Sequence, residues 1–200
     1  MAKLFFIHST MNSGKSLDLL KTAHNYESQG KKVLVFTSDK DTRYMDINNN
    51  DLKGIIKTRI GLEREALLLE RFLKTENYMD YIKEGNYDCV LVDEAQFLPR
   101  EAVLALVDVV DRLQVPVICY GLKNDFRNQL FEGSEALLLF ADKIQEIKTV
   151  CTYCDRKATM NMRIMNGVPE FDGAQIQMGG NEAYVPVCRQ CYKKRKYNYS

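Results

Sequence analysis

Short apolar runs recur along the first 150 residues, and segments with helical spacing of apolar positions separate most of them. Such runs are typical of strands that are buried on both faces of a sheet. The predicted strands are 4–7, 32–38, 88–92, 115–120 and 143–150. The predicted helices are 14–28, 63–74, 100–113 and 134–140, and 78–84 is predicted to be a short amphipathic turn or helix. The polar stretch 39–60 is predicted to include a mobile loop. The alternation predicts an α/β fold, with helices on both faces of a mostly parallel sheet.

The composition changes at Cys151, where cysteine pairs, a turn at Gly167 and Pro169, and a basic tail replace the alternating pattern. A chain of 200 residues has room for one sizeable α/β domain and a small appendage. We therefore predict an α/β domain over residues 1–150 and a second, smaller domain over residues 151–200.

The charge and hydropathy of the chain narrow the classes of partner. A net charge of +1 gives no bulk electrostatic reason to bind nucleic acid or a membrane surface. No apolar run approaches the length of a membrane span, and the first strand begins without a preceding signal peptide. We expect a cytoplasmic protein. The basic run 189–196 is interpreted as a solvated tail, with a nucleic-acid contact as the alternative.

The segment after the first predicted strand matches a phosphate-binding pattern. It consists of Ser9, Thr10, Met11, Asn12, Ser13, Gly14, Lys15 and Ser16. This is the G-x-x-x-x-G-K-[ST] loop of P-loop NTPases, except that Ser9 stands at the first glycine position. In such a loop the backbone N–H groups and a helix N-terminus face the phosphates of ATP, and Lys15 would reach the β- and γ-phosphates. Ser16 would ligate Mg²⁺. The alternative is an ordinary strand–turn–helix connection.

An acidic pair, Asp93 and Glu94, follows the apolar run 88–92. The carboxyl end of a buried strand is where open α/β sheets bind their ligands. Asp93 would hold Mg²⁺, and Glu94 would accept a proton from an attacking hydroxyl or water. The alternative is an acidic residue that interacts with a helix dipole.

Four cysteines form two C-x-x-C pairs near the end of the chain: Cys151, Cys154, Cys188 and Cys191. Four thiolates at this spacing are typical of a tetrahedral structural Zn²⁺ site. A redox-active pair is the weaker alternative, because one C-x-x-C would suffice for it. Cys89 and Cys119 lie in apolar runs and are interpreted as buried packing residues.

Together these motifs resemble the zinc-containing thymidine kinases of the cellular and bacterial type. The matching motifs, besides the first cysteine pair, are MNSGKS (11–16), KDTRY (40–44), TRIG (58–61), DEAQF (93–97), YGLKNDF (120–126), GGNEAY (179–184) and VCRQC (187–191). The resemblance implies transfer of the γ-phosphoryl group of ATP to the 5′-hydroxyl of thymidine or deoxyuridine in nucleotide salvage. It also implies a homotetramer and feedback inhibition by dTTP.

The resemblance further implies roles for individual residues. Glu94 would be the catalytic base. Asp41 and Arg43 would lie near the phosphates and the catalytic centre, with Arg43 binding phosphate and Asp41 binding the substrate. The positions that match those around the nucleoside are Met11, Gln96, Phe97, Leu122, Phe126, Phe131, Gly179, Gly180 and Tyr184. The loop of the zinc domain would fold over the thymine as a lasso. From the residues alone, core packing is the favoured interpretation of Phe126 and Phe131, and Tyr184 has the same two interpretations. The glycines are equally interpretable as a turn.

Two other classes of function compete with this hypothesis. One is a nucleic-acid-dependent ATPase, in which a zinc ribbon grips a strand and Glu94 activates water; the near-neutral charge weighs against it. The other is a non-catalytic zinc module, which the intact Lys15, Ser16, Asp93 and Glu94 weigh against. We expect no nucleic-acid or membrane partner.

Overall fold

The computed structural model describes residues 1–40, 52–175 and 182–198. The strands are β1 (Leu4–Ser9), β2 (Val33–Thr37), β3 (Lys53–Lys57), β4 (Glu63–Leu68), β5 (Cys89–Val92), β6 (Val117–Leu122), β7 (Lys143–Ile147), β8 (Met160–Met165), β9 (Val168–Glu170) and β10 (Glu182–Val187). The helices are α1 (Lys15–Glu27), α2 (Leu69–Phe72), α3 (Tyr78–Glu84), α4 (Arg100–Leu113), α5 (Glu132–Phe140) and α6 (Arg189–Tyr197). A 3-10 turn, Ala95–Phe97, lies between β5 and α4.

The first seven strands form one sheet in the order β3-β4-β2-β5-β6-β1-β7. Every neighbouring pair is parallel except β3 and β4, which form an antiparallel hairpin at one edge. The central strands contain residues such as Val90 and Leu91, which are fully buried, as the strands of a parallel sheet covered on both faces must be. The predicted α/β fold with a mostly parallel sheet is confirmed.

Helices cover both faces of this sheet because successive strand residues point to opposite sides. On one face, Phe36 of β2 and Val92 of β5 belong to an apolar cluster that includes α4. On the other face, Val35 and Leu91 pack in a cluster with Leu19 of α1. The carboxyl ends of β1, β5 and β6 therefore meet at one edge of the sheet, between the two helical layers.

The cysteine-rich end of the chain forms a second sheet with its own apolar cluster. Its strands pair antiparallel in the order β10-β8-β9. Met162 of β8, Val187 of β10 and Tyr192 of α6 are buried together with two of the cysteines. This small cluster is the core against which α6 packs.

The predicted helix over residues 63–74 is wrong in its first half. Residues Glu63–Leu68 form β4, and only the short α2 follows. Favourable helix propensity is overridden here because β4 pairs on both sides, with Leu67 opposite Phe36 in β2 and Ala66 opposite Gly54 in β3. The same pairing places β3 inside the stretch predicted to include a loop.

Candidate active site

The loop between β1 and α1 has the geometry of a phosphate cradle. Gly14 takes up a left-handed backbone conformation, with a φ of 84°, immediately before α1. The Ser9 hydroxyl donates to the Thr10 carbonyl at 2.8 Å, and the single proton of the Ser13 hydroxyl faces two acceptors, Ser9 Oγ and, at 2.9 Å, the same carbonyl. Ser9 has no positive φ, so its position does not require glycine, and its side chain instead braces the loop.

Lys15 and Ser16 open α1 directly opposite the end of β5. The Lys15 side chain is buried along the loop, with its Nζ 3.5 Å from the Thr10 carbonyl. The Ser16 hydroxyl donates to Asp93 Oδ2 at 2.8 Å. A hydroxyl and a carboxylate that meet in this way are oxygen donors of the type that Mg²⁺ prefers.

Asp93 is buried at the carboxyl end of β5. Burial and the neighbouring Glu94 charge raise the pKa of its carboxyl group to about 7, against the opposing effects of Ser16 and Lys15. A cation bound between Asp93 and Ser16 would favour the ionised form of this carboxyl group.

Glu94 is held in an unusual conformation by its neighbours. Its backbone is left-handed, with a φ of 51°, and its N–H donates to Asp93 Oδ1 at 3.0 Å. The Glu94 carboxylate accepts a hydrogen bond from the buried amide of Gln96, whose Oε1 in turn accepts from the Leu122 N–H at 3.0 Å. A Cβ on Gly121 would lie 2.9 Å from Gln96 Oε1, so glycine makes room for this arrangement. β6 therefore fixes the orientation of Glu94 through Gln96.

These groups line one cleft of about 270 Å³. The lining residues are Met11, Asn12, Ser13, Gly14, Lys15, Ser16, Leu17, Ile56, Lys57, Thr58, Arg59, Ile60, Asp93, Glu94 and Leu122. The β3–β4 hairpin supplies Lys57 and Arg59, which the sequence analysis did not include among the site residues. The signal for Arg59 was the TRIG motif (58–61), which the sequence analysis used only as part of a resemblance, and Lys57 directly precedes that motif. Cations beside a phosphate site can offset the charge of bound ATP.

The aromatic residues predicted to surround the nucleoside fall into two pairs. Phe97 and Phe131 pack edge to face, with ring centroids 5.7 Å apart. Phe126, which is buried, and Tyr184 of β10 pack similarly at 6.4 Å. The second pair joins the two sheets, since Phe126 follows β6 and Tyr184 belongs to the cysteine-rich end.

The second sheet also contacts the phosphate loop directly. Asn161 of β8 accepts from the Met11 N–H at 2.8 Å and donates to the Asn124 carbonyl at 2.9 Å. The Asn12 side chain donates to the Tyr184 carbonyl at 3.2 Å. Asn161 was missed by the sequence analysis. Its signal, shared with Arg163, is a polar residue at every second position of the otherwise apolar strand β8.

The four cysteine sulfur atoms lie within 4.8 Å of one another and could hold a metal ion. Cys154 Sγ is 3.7 Å from both Cys188 Sγ and Cys191 Sγ. A tetrahedron with metal–sulfur bonds of about 2.3 Å has edges of about 3.8 Å, so these separations fit a tetrahedral tetrathiolate site. The Tyr153 and Cys191 N–H groups donate to Cys151 Sγ and Cys188 Sγ at 3.4 Å, which favours thiolates.

The comparison with protein families matches residues 2–192 to the thymidine kinase family. The chain belongs to the thymidine kinase family. Thymidine kinase of Streptococcus gordonii is 54% identical over 198 residues, which are 99% of this chain and 100% of that protein. Thymidine kinase of Streptococcus pyogenes serotype M3 is 53% identical over 192 residues, covering 96% of this chain and 97% of the relative.

A thymidine kinase of Lactiplantibacillus plantarum is 52% identical over 194 residues, with 96% of each chain covered. Among solved structures, the Pif1 helicase from Candida albicans superposes with a TM-score of 0.43 and 12% identity, over 73% of this chain and 36% of that chain. That overlap is too small to bear on fold or function. Membership of the thymidine kinase family does not favour the nucleic-acid-dependent ATPase considered above.

Within the thymidine kinase fold, the structure brings the phosphate loop, Asp93, Glu94 and Leu122 into one cleft, with Gln96 behind Glu94. It places Phe126 and Tyr184 side by side next to the loop. Four predicted site residues, Asp41, Arg43, Gly179 and Gly180, lie outside the described residues. No helix within the described ranges has both the length and the apolar character that crossing a membrane requires.

Proposed function

We propose that this chain transfers the γ-phosphoryl group of ATP to the 5′-hydroxyl of thymidine, and of deoxyuridine, in nucleotide salvage. The observation that carries the proposal is the cleft in which the phosphate loop and Ser16 face Asp93 and Glu94. Membership of the thymidine kinase family supports thymidine as the acceptor.

Each of the described site residues has its own role in the proposed reaction. The backbone N–H groups of the loop and Lys15 would bind the β- and γ-phosphates. Ser16 and Asp93 would hold Mg²⁺, which supplies charge neutralisation on the phosphate oxygens. Glu94 would take the proton of the 5′-hydroxyl as its oxygen bonds to the γ-phosphorus. The bond from that phosphorus to the β–γ bridging oxygen breaks, and ADP leaves.

The nucleoside would lie beside this cleft, among the residues that the sequence analysis assigns to it. In this proposal Met11, Leu122 and Gln96 lie at the phosphate end, and the pairs Phe97–Phe131 and Phe126–Tyr184 line the base pocket. Asp41 and Arg43 act near the phosphates, and Gly179 and Gly180 near the base. Aromatic walls suit a planar base, and exclusion of water limits hydrolysis of ATP.

The cysteine cluster would hold one structural Zn²⁺, because four thiolates fill all of its tetrahedral positions. We further propose an α/β unit over residues 1–150 and a zinc-binding unit over 151–200, in a cytoplasmic homotetramer inhibited by dTTP. Family membership supports these last properties. Light scattering and titration of the activity with dTTP would test them.

The activity is tested by phosphoryl transfer from Mg·ATP to a panel of nucleosides, with single-stranded DNA as a separate arm. We expect 5′-monophosphate from thymidine and deoxyuridine and none from purine nucleosides. ATP hydrolysis that DNA stimulates, with no nucleotide product, would overturn the proposal.

The role of Glu94 is tested by Glu94→Gln. The variant keeps an oxygen that can accept from Gln96 but cannot act as a base at neutral pH. We expect kcat to fall by about 10²- to 10⁴-fold with little change in the KM for ATP. Glu101→Gln, on the exposed side of α4, is the matched control and should behave as wild type. Turnover of Glu94→Gln close to that of the control would remove Glu94 as the base.

A further inference from the structure

We propose that Arg163 and Arg127 form a clamp that positions the nucleoside pocket of the proposed kinase, acting on the binding of thymidine and not on that of ATP. Arg163 lies on β8 of the cysteine-rich end, and Arg127 lies in the loop between β6 and α5. Neither residue belongs to the phosphate cleft. The inference rests on the proposed function, because its readout is thymidine phosphorylation.

The clamp holds three consecutive carbonyl groups of the segment 172–174. Arg163 Nη2 donates to the Asp172 carbonyl at 2.7 Å, and Arg163 Nη1 donates to the Ala174 carbonyl at 3.3 Å. Between them, Arg127 Nη1 donates to the Gly173 carbonyl at 3.2 Å. Arg163 belongs to β8 and Arg127 to the loop between β6 and α5. The segment is therefore hydrogen-bonded both to the cysteine-rich end and to the α/β part of the molecule.

The side chain of Arg163 is almost completely buried, with 1% of its surface exposed. Its Nε lies 2.7 Å from a carboxylate oxygen of Glu170, which offsets the buried charge. A planar guanidinium can donate to two carbonyls through separate nitrogens while it forms this ion pair, whereas a lysine ammonium cannot cover the same positions. Burial of a charged group costs desolvation free energy. We infer that Arg163 is buried because it holds the 172–174 segment in one position.

The same guanidinium supports the aromatic wall. Arg163 Cζ lies 3.8 Å from the centroid of the Phe126 ring, within the range of a cation–π contact. Phe126 packs against Tyr184, and Tyr184 is the residue directly opposite Arg163 in the β8–β10 pairing. Loss of the guanidinium would therefore free Phe126 and the 172–174 segment together.

Both the backbone conformation of Gly173 and the space around it require glycine next to Arg163. Its φ is 113°, a conformation that other residues rarely adopt, and a Cβ there would lie 2.6 Å from Arg163 Nη2. Gln175, which follows the 172–174 segment, adds two further hydrogen bonds. Its side-chain amide donates to Asp125 Oδ2 at 3.2 Å and to the Leu130 carbonyl at 3.3 Å. The segment is thus anchored along its length to the loop that carries Phe126.

The experiment compares steady-state kinetics of wild type, Arg163→Met, Arg163→Lys and Gly173→Ala. We expect Arg163→Met to raise the KM for thymidine about tenfold or more, because two hydrogen bonds to a charged group and the support of Phe126 are lost. The KM for ATP should stay within about twofold, and bound metal per chain should be unchanged. Arg163→Lys should recover part of the thymidine affinity, since it keeps the charge.

Gly173→Ala keeps the arginine and changes an exposed position, so it tests the clamp even where Arg163→Met fails to fold. It should raise the KM for thymidine in the same direction. The matched control is Arg195→Met, an arginine of α6 that stacks on Tyr153 at 3.4 Å and donates to the Cys191 carbonyl. With metal retained, it should leave both KM values unchanged.

Two results would overturn the clamp. One is a folded Arg163 or Gly173 variant with the thymidine KM of wild type. The other is an equal rise in the KM values for ATP and thymidine, which would indicate general loss of structure. Absence of thymidine phosphorylation in wild type would instead refute the proposed function, so the two failures are distinguishable.

Discussion

Substitution of Asn161 by leucine tests how strongly the second sheet is bonded to the phosphate loop. The Asn161 side chain is buried, and its two hydrogen bonds, at 2.8 and 2.9 Å, end on the Met11 N–H and the Asn124 carbonyl. Leucine has a similar size but can neither accept nor donate. Asn161→Leu therefore leaves both backbone groups without their present partner.

The expected loss follows from the burial of those two groups. A buried polar group left without a partner costs about 1–3 kcal/mol, so two give about 2–6 kcal/mol. The Met11 bond is only partly buried, and water can replace Asn161 there. We therefore expect the free energy of unfolding to fall by about 2–4 kcal/mol.

The assay is urea denaturation followed by circular dichroism, with the midpoint and slope fitted for each variant. Asn25→Leu, the same exchange on the exposed side of α1, is the matched control and should stay within about 0.5 kcal/mol of wild type. A loss below about 1 kcal/mol in Asn161→Leu, with an unchanged slope, would show that these bonds do not hold the two parts together.

Three further predictions concern packing, metal and pH. Gly133→Ala should lower the free energy of unfolding by about 1–3 kcal/mol in urea, because its Cβ would lie 2.8 Å from the Leu98 carbonyl oxygen. Chelation of the metal should lower the thermal midpoint and raise the KM for thymidine, and added Zn²⁺ should reverse both; metal analysis should find about one zinc per chain. The pKa of His8 is lowered from 6.5 by burial and then by Lys123, so folding disfavours its protonation. The charged groups that act on it are Lys123, Lys157 and Glu146. Wild type should therefore lose more stability than His8→Asn as the pH falls below about 6.5, measured by urea titrations at each pH; equal losses would contradict this.

The sequence predicted the central sheet well because the strands β2, β5 and β6 are short and mostly apolar, a pattern that is typical of strands buried on both faces. It failed at β4, where Glu63–Leu68 has helical composition and becomes a strand only through pairing with β3 and β2. Such pairing joins segments that are distant in sequence, and no local pattern specifies it. β3 was missed for the same reason.

The candidate site shows the same contrast between residues that a local motif predicts and residues that distant contacts bring together. Lys15, Ser16, Asp93 and the cysteines follow from short motifs, because a loop or a C-x-x-C pair sets its own local geometry. The bonds of Asn161 and Arg163 join residues from several elements, and sequence shows only that two polar residues alternate in β8. Asn161 bonds to Met11 of the phosphate loop and Arg163 to the segment 172–174, and no local pattern in β8 specifies either partner.

The left-handed backbone of Glu94 has a consequence for engineering this protein. A non-glycine residue with a φ of 51° holds conformational strain of order 1 kcal/mol or more. Glycine at position 94 would relieve that strain and remove the carboxylate at the same time. With Glu94 as the proposed base, a library selected for thermal resistance alone would therefore favour variants that survive heating and have lost the base. Any such selection needs turnover as a second criterion from its first round.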